Sequence, residues 1–174
     1  MSIEQDIQQK DFRNEYQKAL LNMLYTSYYL VDKMNGVFKE QDITRQQYNV
    51  LRILRGQYPG HASINLIKER MLDKMSDASR IVERLRLKGL ITREYCETDK
   101  RSVEVTITQA GLNLLEKMQP AVEAFESLFY NLNEDETKAL NKLLDKIRTD
   151  EGKGSEEPAG RSKTEKKIST LATS

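Results

Sequence analysis

From Asp6 to Val37 the apolar residues Phe12, Tyr16, Ala19, Leu20, Met23, Leu30, Val31 and Met34 keep a helical spacing. No Pro or Gly precedes Gly36, so the pattern predicts one long helix. Tyr25, Tyr28 and Tyr29 add apolar area with polar tips, and a surface this long calls for burial against other long helices, a second subunit's among them. Thr44 is placed to cap a second helix with Val50, Leu51, Leu54 and Tyr58 as its inner stripe and Pro59-Gly60 as its stop. Ser63 caps a third, anchored by Ile64, Ile67, Met71 and Leu72. After the linker Asp73-Lys74-Met75, Ser76 is the expected N-cap of a fourth helix and Gly89 its stop.

The period then changes. Val103, Val105 and Ile107 alternate with Glu104, Thr106 and Thr108, as in a half-buried strand. A less regular strand precedes it from Ile91 to Cys96, with the polar turn Glu97 to Ser102 between them. Thr108 caps a long helix carrying Leu114, Leu115, Met118, Val122, Phe125, Leu128 and Phe129, in which Pro120 should cause a kink or a local weakening. Asn133 followed by Glu134-Asp135-Glu136 opens a last helix with Leu140, Leu143, Leu144 and Ile147. Beyond Asp150 apolar residues almost vanish, and disorder is expected. A third helix, a turn of about four residues and a fourth helix have the length and phase of a helix-turn-helix. With the hairpin, the predicted fold is mainly α with a small β-wing: a winged helix-turn-helix domain flanked by long N- and C-terminal helices.

The fourth helix is two-faced. Ala78, Ile81, Val82 and Leu85 share one side, and Ser76, Ser79, Arg80, Glu83 and Arg84 fall on roughly the other. Hydroxyls near a helix start can bond phosphates or base edges, and guanidiniums one turn apart suit bidentate contact with guanine or phosphate. Glu83 and Asp77 cut against this, because a carboxylate repels phosphate unless it is paired, as Glu83 would be with Arg80 or Arg86.

Charge sharpens the picture by its placement rather than its sum. The 174-residue chain carries a net +1. Residues 42–119 hold 14 basic against 10 acidic side chains, whereas residues 120–151 hold 4 against 8. Positive charge thus concentrates around the two-faced helix and the hairpin, as a nucleic-acid reader requires. The single cysteine, Cys96, excludes an internal disulfide framework. The first residues lack the apolar core of a signal peptide and no run reaches a membrane span, so a cytoplasmic location without membrane attachment is expected. One His, one Cys, no paired-carboxylate cleft and no Gly-rich phosphate loop argue against an enzyme, and neither cofactor nor metal is expected.

The order of elements, with SDASRIVERLRLKGLITRE and DKRSVEVTITQAG, resembles the MarR family of winged helix-turn-helix transcriptional regulators over roughly residues 6–149. The second stretch is similar to the family's wing signature, an Asp-x-Arg tip followed by Leu-Thr and a helix start, with Ile107-Thr108 here as the final pair. The resemblance implies a homodimer joined through the first helix and the last two, and a fourth helix that enters the major groove. It also implies that Arg101 reaches the adjacent minor groove, with Asp99 orienting basic side chains nearby. The DNA-contacting set is then Ser76, Asp77, Ser79, Arg80, Arg84, Asp99, Lys100 and Arg101.

The corresponding organisation is a dimerisation helix in residues 1–40, the DNA-binding lobe in 41–108, C-terminal dimerisation helices in 109–150 and a tail in 151–174. The expected function is a sequence-specific regulator, in the first instance a repressor, acting as a homodimer on double-stranded DNA at a pseudo-palindromic operator. A small-molecule effector would bind between the dimerisation helices and the lobe. The alternative is a winged-helix module that holds another protein. Open alternatives also attach to single residues: Cys96 as redox switch or packing residue, His61 as loop residue or as metal or pH site. Tyr25, Tyr28 and Tyr29 are read either as pocket lining or as dimer packing, and the basic tail 161–167 as phosphate attraction or a solubilising end.

Overall fold

The computed structural model describes residues 2–95 and 103–149. Two compact units divide the chain at Leu128/Phe129. The first contains α1 (Ile3–Asp6), α2 (Glu15–Glu40), α3 (Arg45–Arg55), β1 (Ala62–Ser63), α4 (Ile64–Arg70), α5 (Ala78–Leu87), β2 (Ile91–Tyr95), β3 (Val103–Ile107) and α6 (Gln109–Glu126). The second contains α7 (Glu134–Arg148), and a short 3-10 turn, Ser127–Phe129, lies at the division.

Local chemistry sets most boundaries. The long N-terminal helix expected from Asp6 begins only at Glu15, because Asn14 caps it there, its side chain accepting from the Gln17 amide at 2.9 Å, while α1 ends at Asp6 where the expected helix would start. Phe12 therefore lies outside α2. Gly36 does not stop the helix, which runs on to Glu40. Thr44 caps α3 with a reciprocal capping box to Gln47. The helix ends at Arg55 with Gly56 behind it, before the Pro59-Gly60 stop. Tyr58 thus leaves the inner stripe and is 54% exposed, while Tyr48 takes a core place against Phe38, the ring centroids 5.1 Å apart. Burial raises the Tyr48 phenol above its ordinary pKa.

The wing is broader than a hairpin. β2 and β3 pair antiparallel with Ile91 opposite Ile107 and Tyr95 opposite Val103. β1, too short to show in the periodicity, adds to the other edge of β3 through Ala62 opposite Val105. Val50, Leu51 and Leu54 of α3 form the middle of the core. Around them sit Ile67 and Met71, Val82 and Leu85 of α5, Val105 and Ile107 of the sheet, and Leu115 and Met118 of α6. Side chains buried this fully contribute about 1.5–3 kcal/mol each by leaving water. Pro120 sits inside α6, which continues to Glu126 before giving way to the 3-10 turn that takes Leu128 and Phe129. Asn133 and Glu136 cap α7 as the sequence suggests.

Candidate nucleic-acid interface

α5 buries Ala78, Val82 and Leu85 and exposes Ser79, Arg80 and Arg84, so the two-faced helix read from the sequence is present. Its start differs by one residue. Asp77, not Ser76, is the N-cap: its carboxylate accepts the Arg80 amide at 3.1 Å. A carboxylate at that position also complements the positive end of the helix dipole, which explains why an acid stands at the start of the exposed face. Ser76 looks back instead, its hydroxyl donating to Asp73 Oδ2 at 2.7 Å.

The turn between α4 and α5 is pinned from several sides. Asp73 also accepts the Met75 amide at 3.1 Å, and Asn49 on α3 accepts the Leu72 amide at 2.9 Å. The hydroxyl of Ser76 and the Met75 amide hold the Asp73 carboxyl below its ordinary pKa. Leu72, expected as an anchor of α4, is 86% exposed, because the anchoring place belongs to Met71 one residue earlier.

Glu83, the other acid of this face, is neutralised within the fold. Arg86 binds it with two hydrogen bonds, at 3.0 and 2.8 Å, and Arg93 of β2 stands 3.8 Å away. The hydrogen bonds from Arg86 keep the Glu83 carboxyl below its usual pKa. Arg80 and Arg84 are exposed and make no ion pair among the described residues.

The far end of α5 is fixed by contacts that periodicity does not reveal. Gly89 takes φ +69°, its amide bonding Arg86 O at 2.9 Å while the Leu90 amide bonds Leu85 O at 3.1 Å. This is a Schellman closure, which requires a left-handed residue at that position. Thr108 both caps α6 and clasps this corner, its hydroxyl donating to Gly89 O at 2.8 Å and its amide to Leu90 O at 3.1 Å. Lys88 reaches Asp42, itself at φ +52°, with a 2.7 Å ion pair. A cleft of about 800 Å³ opens beside that pair, lined by Phe38, Lys39, Ile43, Arg45 and Arg84 among others. The expected wing-tip contacts Asp99, Lys100 and Arg101 lie outside the described residues, as does Cys96.

Comparison with known proteins decides the family. The MarR family model matches residues 41–102. The HTH-type transcriptional repressor IacR of Pseudomonas putida is 30% identical over 142 residues, covering 79% of this chain and 81% of that protein. The chain belongs to the MarR family. It is a winged helix-turn-helix transcriptional regulator, and its relatives carry the names of regulators rather than enzymes. Two solved MarR-type structures share the arrangement. A mutant MarR from E. coli complexed with operator DNA is 25% identical, with TM-score 0.68 over 80% of this chain and all (100%) of that one. BpsR of Bordetella bronchiseptica, described as regulated in DNA binding by 6-hydroxynicotinic acid, is 28% identical, with TM-score 0.63 over 75% and 99%. For this MarR-family chain, no helix among the described residues is long and apolar enough to cross a membrane.

Proposed function

We propose that the chain is a sequence-specific DNA-binding repressor acting as a homodimer on a pseudo-palindromic operator. The observation that carries this is the outer face of α5, where Ser79, Arg80 and Arg84 stand exposed while both neighbouring acids are engaged within the fold. α5 would occupy the major groove, with Arg80 and Arg84 on base edges or phosphates. Arg101, with Asp99 and Lys100 beside it, would reach the adjacent minor groove, where a narrow groove concentrates negative potential.

The dimer would form through the segments 1–40 and 109–150 around the DNA-binding lobe 41–108. Large apolar side chains left in solvent support this: Tyr16, Leu20 and Leu24 at four-residue steps on α2, and Leu143 and Ile147 on α7. A small organic anion is the effector class that fits the cleft beside Lys88. Phe38 and Ile43 supply apolar walls, Lys39 and Arg45 supply charge, and Arg84 belongs to the reading face as well. A ligand held there would compete with DNA for Arg84, in keeping with the acid that regulates BpsR.

Selection of bound sites from random double-stranded DNA tests the reading. It should return an inverted repeat with half-sites about 10 bp apart centre to centre, and binding to it should weaken steeply with salt through counterion release. A flat salt response or no enriched site from folded protein would favour the protein-binding module instead.

A further inference from the structure

Met75 and Leu72 are the most exposed large apolar side chains among the described residues, at 94% and 86%. Scattered apolar residues on a surface need no explanation, but these two occupy a turn whose backbone is unusually well held. Asn49 fixes the Leu72 amide, Asp73 fixes the Met75 amide, and Gln46 and Ser76 both donate to the same Asp73 carboxylate, at 3.5 and 2.7 Å. The Lys74 ammonium closes the turn further onto Glu69 O. A backbone already fixed leaves only the side-chain rotamers to be ordered on docking, which lowers the cost of a contact made there.

Their position names the occupant. Met75 stands two residues before the cap of α5, directly before Ser76, at the end of the helix that enters the groove first in a helix-turn-helix complex. The neighbouring side chains Ser79, Arg80 and Arg84 are polar donors suited to guanine, adenine or phosphate, and none of them suits the one apolar group the major groove displays. That group is the C5-methyl of thymine. We infer that Met75 and Leu72 form an apolar lip of the reading head that recognises thymine methyl groups at the edge of each half-site. This inference rests on the proposed entry of α5 into the major groove.

The test removes the methyl and nothing else. In the selected operator, each thymine is replaced singly by deoxyuridine in both half-sites, and affinity is measured for the full-length protein and for Met75→Ala and Leu72→Ala. Loss of one well-buried methyl contact corresponds to about fourfold in affinity per site. The unaltered protein should show that loss at one or two edge thymines, and at least one variant should bind thymine and deoxyuridine operators equally well. Both variants should keep the salt dependence and thermal stability of the parent, since neither side chain is buried. Full methyl discrimination in both variants, or none in the parent, overturns the lip. Absence of any operator binding by the parent would instead overturn the DNA-binding reading beneath it.

Discussion

At the scale of single residues, Gly111 shows how closely the wing and the third-from-last helix segment are fitted. A Cβ at this position would run into the carbonyl of Leu90 and lie 2.7 Å from Ile107 Cγ1. Neither neighbour can yield cheaply, because the Leu90 carbonyl already accepts the Thr108 amide and Ile107 is part of the core. Gly111→Ala should therefore destabilise the protein by about 1–3 kcal/mol through overpacking, read as a lower midpoint in urea unfolding with an unchanged slope. Its QAG context was visible in the sequence, yet only as part of a helix start. The reason for glycine is a contact between segments 21 residues apart (Leu90 and Gly111), which no local pattern encodes. The same holds for Asp77 and Glu83. Their presence on the exposed face and a pairing of Glu83 with Arg80 or Arg86 were legible in the sequence, whereas the choice of Arg86 and the capping role of Asp77 are set by three-dimensional geometry.

At the scale of elements, legibility followed burial period and length. α5, β3 and α7 were readable because each repeats an apolar residue at its own period over at least five residues, with a cap or a glycine at an end. The two-residue β1 has no period to read and owes its existence to the edge of β3. The extended N-terminal pattern failed for the opposite reason: apolar spacing continued across Asn14, but the Asn side chain satisfies a helix-start amide better than a helix interior would. Caps decide such ends, and α5 provides the test that bears on function. Asp77→Ala removes the acceptor of the Arg80 amide and should cost about 1 kcal/mol of stability. If α5 must be preformed to read DNA, operator affinity should fall alongside, although a negative charge has been removed from the face. A variant that binds more tightly would show that repulsion by Asp77 outweighs its cap.

At the scale of the whole molecule, uncovered apolar side chains on the described helices support the proposed dimer. α7 buries no residue, with Leu143 at 58% and Ile147 at 64% exposure, and α2 fully buries only Phe38. An amphipathic helix with its stripe uncovered is marginal in isolation, since most helical stability comes from packing that stripe. A second copy offers the same uncovered stripes, and a self-complementary contact between identical patches is what a twofold dimer requires. Two identical reading heads are in turn what an inverted repeat requires, so dimerisation and operator symmetry stand together. Leu143→Asp places a carboxylate in the uncovered stripe of α7 and should shift the protein from dimer to monomer in sedimentation equilibrium. Because the core of the first unit does not include Leu143, the monomer should retain its helical signal. Operator affinity should then fall towards that of a single half-site, with the salt slope roughly halved as half the phosphate contacts are lost. A variant that stays dimeric would remove α7 from the interface, and one that dissociates while keeping full affinity would uncouple dimerisation from recognition.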